Sequence, residues 1–141
     1  MLSRAGKEIL ITVVTQSIST YTMSAFQLPL KLCDEIDALC VKFWWGQVGS
    51  EQKIHWWSWD KLTASKKVRG MGFQDLRAFN LAMLAKQGWR MVQCNDSLLY
   101  QCFKARYFPR SSFLEAKVSP NCLYVWRSLM AAQPILLSGH C

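Results

Sequence analysis

The sequence predicts a small, mostly α-helical protein. Three observations carry that reading. Apolar residues recur every three to four positions over five stretches. Ser, Asp or Pro stand at the starts of those stretches, and Gly or Pro at their ends. The 141 residues are 51% apolar, enough to build a core in one modest domain instead of a disordered tail.

Residues 3–25 form the first expected helix, with Ser3 as its cap and Ile9, Leu10, Val13, Val14, Ile18 and Tyr21 at helical spacing. The β-branched run Ile11, Thr12, Val13, Val14 works against it. "FQLPL" breaks the pattern, and Pro29 suits the first turn of a second helix, residues 30–45. That helix places Leu32, Cys33, Ile36, Leu39, Cys40, Phe43 and Trp44 on one face, with Lys31, Asp34, Glu35, Asp37 and Lys42 opposite and Gly46 as terminator. "KIHWW", residues 53–57, reads as a short extended segment. Ser58 caps a brief turn "WDKL", and "TASKKVRGMGF" is a basic connector with glycines. Asp75 caps a third long helix, residues 76–92, with Leu76, Phe79, Leu81, Ala82, Met83, Leu84, Trp89 and Val92 on a broad apolar face. Asn95, Asp96 and Ser97 start "LLYQCFKARYF", which Pro109 closes. Ser119 and Pro120 read as a cap and first position for a last helix, residues 121–133, ending near Pro134.

The balance of 17 Lys and Arg against 9 Asp and Glu gives a net charge of +8, which favours polyanionic partners, nucleic acid before an anionic membrane surface. No stretch reaches the ~20 apolar residues of a membrane span, so no membrane partner is expected. The six cysteines fall at helix-like positions in apolar patterns, and "MLSRAGKEIL" has no secretory-leader pattern. Most of the cysteines are therefore expected to be buried thiols in a reducing, intracellular compartment.

No catalytic constellation is legible. His55 lies among tryptophans and His140 is next to the end; no Cys-x-x-Cys pair exists, and a zinc site needs about four ligands. Asp34, Glu35 and Asp37 read as a solvated helix face before a metal pair. "GMG" lacks the third glycine of a dinucleotide loop. No cofactor or metal is expected. What remains is basic residues interleaved with aromatics. Lys53, Lys61, Lys66, Lys67 and Arg69, near His55, Trp56 and Trp57, form one patch; Lys104, Arg106 and Arg110, with Tyr107 and Phe108, form another. Single-strand binders pair cations with stacking aromatics in this way. The bland alternative is that the rings fill the core while the cations solubilise the rim. For any single Trp, packing is the commoner role, and Trp44 follows the apolar stripe of the second helix.

The ordered set "LSRAGKEILI…YTMSAFQLP…LCDEID…FWWG…KIHWWSWDKL…GMGFQDLRAFNLAMLAKQGWR…LLYQCFKARYFP…SSFLEAK…VWRSLMAAQ" resembles plant LINE-type (non-LTR) retrotransposon reverse transcriptases, in the segment after the polymerase palm. It is similar as well to stand-alone uncharacterised reading frames of plant mitochondrial genomes. The resemblance implies thumb-like helices over residues 1–45 and a connector-like helical region over 46–141, with the tryptophan cluster packing the two pieces together. It implies contacts to phosphates and sugars of RNA or DNA, weak and sequence-blind. The Tyr-x-Asp-Asp motif and its partner Asp are absent from the 141 residues, so no catalysis is expected of the chain itself. Arg69 stands where relatives of this type carry a glycine. The expectation is thus a non-catalytic fragment. The alternatives are a decayed relic without selected function, and a protein-interaction module whose partner is the missing palm or another chain.

Overall fold

The computed structural model describes residues 3–17, 20–46, 58–73 and 75–139. The expected extended segment at 53–57, with Lys53, His55, Trp56 and Trp57, lies outside the described residues, as does His140. Among the described residues there are eight α-helices, two 3-10 turns and no strand, so the protein is mostly α. The helices are α1 (Arg4–Ser17), α2 (Thr20–Ala25), α3 (Leu30–Trp44), α4 (Trp59–Thr63), α5 (Leu76–Gln93), α6 (Leu98–Tyr107), α7 (Tyr124–Ala131) and α8 (Gln133–Gly139).

The chain divides into two compact units. One comprises Met1–Ser19 and Leu28–Arg77, the other Thr20–Gln27 and Ala78–Cys141. Residues on both sides of position 46 therefore share the core of the first unit.

In that first unit Ser3 caps α1 as expected, its hydroxyl accepting from the Gly6 amide at 3.2 Å. α1 packs on α3 in the antiparallel sense. Lys7, near the start of α1, donates to the Trp44 carbonyl at the end of α3, and Ile11 shares a core with Cys40, Leu62 and Phe73. Pro29 stands at the N-cap of α3. At its other end Gly46 takes a left-handed φ of 66° that a residue with a Cβ rarely adopts. The buried stripe of α3 is narrower than the expected face: Cys33 and Cys40 are buried and Ile36 and Trp44 half-buried, while Leu32, Leu39 and Phe43 stand exposed. On α1 the expected face is not the buried one. Ile9, Leu10, Val13 and Val14 are exposed, and Ile11, from the β-branched run, fills the core. Periodicity locates an apolar arc on a helix, but only the neighbouring elements decide which part of it is covered.

The expected helix over 3–25 is described as α1 and α2, with residues 18 and 19 between them outside the described residues, and α2 belongs to the second unit. There Asn80, buried on α5, donates from its amide to the carbonyls of Met23 (2.8 Å) and Phe26 (2.9 Å), satisfying acceptors that the end of α2 leaves open. The buried stripe of α5 runs through Leu76, Asn80, Leu84, Gly88 and Met91. Trp89, expected on the apolar face, is 39% exposed. At Gly88 an added Cβ would lie 2.6 Å from the Leu136 side chain, so the missing side chain admits α8 against α5.

Trp126 of α7 is the centre of this unit and is wholly buried. Tyr107 stacks on it with centroids 4.6 Å apart and planes 6° apart; Phe108 stacks at 5.5 Å, and Phe103 and Phe113 close the cage at 5.6 and 5.9 Å. Its indole N–H has no hydrogen-bond partner among the described residues, so ring packing must offset that desolvation. Ser97 caps α6 through the Tyr100 amide at 3.2 Å, and Asp75 caps α5 through Arg77 at 3.0 Å, both as expected. The last expected helix is corrected. Ser119 closes a turn with Cys122, α7 starts only at Tyr124, and the chain continues past Ala131 into α8. Pro134 does not end a helix there: it lies in the first turn of α8, where its absent N–H would have no intrahelical acceptor. The preceding Gln133 fixes the bend by donating to the carbonyls of Phe113, Leu114 and Ala116.

Trp126→Ala should cost roughly 3–5 kcal/mol in the second unit, and Asn80→Ala about 1–3 kcal/mol through the unpaired carbonyls of α2. Urea titrations of the two variants test this order, and a Trp126→Ala chain as stable as the parent would contradict the central role of the cage.

Candidate nucleic-acid interface

The first basic patch is held by a compact turn that follows α4. Val68 and Gly70 donate to the Ser65 carbonyl at 2.9 and 3.0 Å, and Ser65 Oγ accepts from the Lys67 amide at 3.3 Å. Gly72 and Phe73 then bond back to the carbonyls of Ala64 (2.9 Å) and Leu62 (3.1 Å). The return is so close that a Cβ on Gly70 would sit 1.9 Å from the Ala64 carbonyl oxygen. Arg69 adopts φ 64°. This explains why a glycine suits that position: Arg accepts a left-handed strain that glycine would avoid.

The turn is anchored by Phe73, which is buried. Trp44 meets its ring edge-on at 5.3 Å and Trp59 stacks on it at 6.0 Å. Trp44 and Trp59 thus pack within the first unit, as the commoner role for a tryptophan would have it.

Each described cation of the expected interface can be placed. Lys61 is exposed on α4; Lys66 and Lys67 are exposed on the 3-10 turn Lys66–Val68; Arg69 is exposed at its C-cap. Lys61 and Arg69, with Ala64 and Val68, line one hollow of about 260 Å³. Lys66 instead reaches Glu8 of α1, with Nζ 2.8 Å from Oε1. Glu8 carried no signal of this in the sequence, being 58 positions away. In the second unit Lys104 lies 5.4 Å from the Tyr100 ring centroid and Arg106 5.6 Å from that of Tyr107. Arg110 is exposed in the turn after α6. Tyr107 and Phe108, the expected stacking platforms of this patch, are half-buried and buried around Trp126.

A second, acidic hollow of the first unit, about 260 Å³, is lined by Asp34, Asp37, Asp60, Asp75, Arg77, Thr63 and Trp59. Arg77 pairs with Asp34. Asp34 and Glu35 lie on a solvated face as expected, but Asp37 does not: it is half-buried and its Oδ1 has no hydrogen-bond partner among the described residues. Burial, and then the neighbouring Asp75 carboxylate, push its pKa up to about 6, against a hydrogen bond from the Trp59 side chain that lowers it. Burial also raises the Cys33 and Cys40 thiols. Of the expected buried thiols, these two are buried, Cys122 is half-buried, and Cys94 and Cys102 are exposed. Among the described residues no group of three or more His, Cys, Asp or Glu side chains could hold a metal ion.

No protein-family model matches the chain, and neither does any solved structure. The chain is 38% identical over 124 residues to an uncharacterised mitochondrial protein of Arabidopsis thaliana, a match that covers 87% of this chain and 80% of that protein. It is 32% identical over 106 residues to an Arabidopsis thaliana protein provisionally named a ribonuclease H protein; the match covers 75% of this chain and 17% of that much longer protein.

The raised Asp37 pKa predicts a specific pH dependence. The folded value of about 6 lies above the unfolded value of about 3.9, so the folded state binds this proton more readily. The contribution of this group to stability therefore falls as pH rises from about 4 to 6 and is flat beyond. Asp37→Asn should abolish that segment of the profile, read as urea midpoints between pH 4 and 7.5; a parent profile unaltered in the variant would place the titration elsewhere. The left-handed Arg69 predicts that Arg69→Gly raises first-unit stability by roughly 0.5–1 kcal/mol, whereas Arg69→Ala does not. Equal midpoints for the two variants would show that the turn relaxes.

Proposed function

Because the chain belongs to the family of the uncharacterised mitochondrial protein of Arabidopsis, we propose that it is a non-catalytic segment of LINE-type reverse-transcriptase origin that keeps sequence-blind nucleic-acid binding. The observation that carries this reading is the basic turn. Lys61, Lys67 and Arg69 are exposed within nine positions and make no ion pair among the described residues, on a chain of net charge +8. The ion pairs among the described residues are Lys66 with Glu8 and Arg77 with Asp34. Exposed pairs of this kind contribute only about 0–1 kcal/mol to folding, so an arriving phosphate can compete for Lys66 as well.

On this reading α1 and α3 correspond to thumb helices and the basic turn to a backbone-gripping loop of the connector. The alignment with 17% of a longer relative supports an origin in a larger polypeptide. The chain supplies phosphate contacts, which position a nucleic acid without reading its sequence. Polymerase chemistry would need converging carboxylates around two metal ions, and the sequence holds no Tyr-x-Asp-Asp motif.

Binding to a fluorescent RNA or DNA should fall linearly in log K with log salt. Replacing Lys61, Lys67 and Arg69 together by Ala should lower the slope by about 0.7–0.9 for each phosphate that is no longer neutralised, with base preference unchanged. A parent that binds neither polymer at low salt overturns the reading, and an unchanged slope removes the turn from it.

A further inference from the structure

We propose that the α1/α3 face of the first unit is the contact surface of a homodimer. Leu10, Val13 and Val14 of α1 and Leu32, Leu39 and Phe43 of α3 are all exposed, Leu39 at 64%. Between the helices runs a groove of about 250 Å³ with wholly apolar walls, lined by Leu10, Ile11, Val14, Leu39, Cys40 and Phe43. Leu32, Leu39 and Phe43 are spaced seven and four apart, so they form one stripe beside the buried stripe of α3. The six side chains present roughly 500 Å² of apolar surface, near the top of the range for the largest patch on a typical monomer.

Area and charge both point to a second copy as the occupant. Two such faces would bury on the order of 1,000 Å² before any rim is counted, the lower size of a specific interface. The centre of the face holds no charge, so like can meet like. At its edge α3 carries exposed Glu35 and Lys42, four positions before and three after Leu39. All three share one side of the helix. A two-fold axis near Leu39, with the two α3 helices antiparallel, sets Lys42 of each copy against Glu35 of the other. An isologous contact needs this self-complementarity. Each copy contributes the packed pair α1 and α3, so the contact is a four-helix packing with its apolar seam inside. This inference does not depend on nucleic-acid binding.

Sedimentation of the full chain from about 5 to 200 µM tests it. The expected result is a concentration-dependent species of twice the 16.2 kDa chain mass. Leu39→Glu should weaken dimerisation at least ten-fold with the helical far-ultraviolet spectrum retained; Leu39→Gln, a milder change, should act in the same direction. Lys42→Glu should weaken it by placing like charges together, and Lys42→Glu combined with Glu35→Lys should restore it. A monomer at every concentration, open-ended aggregates, or a dimer indifferent to both Leu39 variants overturns the proposal. Failure of the double variant to recover the dimer overturns the antiparallel geometry that assigns the partner.

Discussion

The seating of Phe73 between Trp44 and Trp59 is the contact on which the first unit depends. It joins the end of α3, the start of α4 and the return of the basic turn in one aromatic cluster. Each ring pair is worth about 0.5–1.5 kcal/mol beyond the burial of the rings themselves. The Glu8–Lys66 pair, with the lysine side chain 71% exposed, is worth at most about 1 kcal/mol. Packing, not the ion pair, therefore fixes where Lys61, Lys67 and Arg69 stand. The backbone bonds from Gly72 and Phe73 to Ala64 and Leu62 then follow from that seat, and Gly70 permits the close return.

The second unit solves the same problem with a different residue. Trp126 gathers rings from α6, from the turn after it and from the 3-10 turn Phe113–Glu115. The two cation–ring pairs of Lys104 and Arg106 sit on this shell, with Tyr100 buried and Tyr107 half-buried. Rings engaged in this way serve the core first. The interface reading consequently rests on the charges of the first unit more than on stacking in the second.

Much of this is legible in the sequence. Helical content, the caps Ser3, Asp75 and Ser97, and the stop at Gly46 all follow from local rules, and the structure bears them out. What local rules cannot supply is which apolar arc gets covered. α1 buries Ile11 and leaves Val13 and Val14 in solvent because α3 lies on one side of it only. The polar Asn80 in the stripe of α5 is explained by carbonyls 54 and 57 positions away. Pro134 suits a stop by local rules, yet a proline is equally at home in a first turn, and the bend before it is set by Gln133 reaching back to residues 113–116. In the basic turn the residue types are legible, but the left-handed Arg69 and the pairing of Lys66 with Glu8 are not, since both depend on how the chain returns.

The aromatic seat of Phe73 holds the basic turn in place, and amide hydrogen exchange across residues 62–73 in the parent and in Trp44→Ala tests this most directly. The Val68, Gly70, Gly72 and Phe73 amides, all bonded within this turn, should be protected together in the parent. They should lose that protection together when the Trp44 ring is removed. Protection that survives Trp44→Ala, or amides that open one by one in the parent, would contradict it.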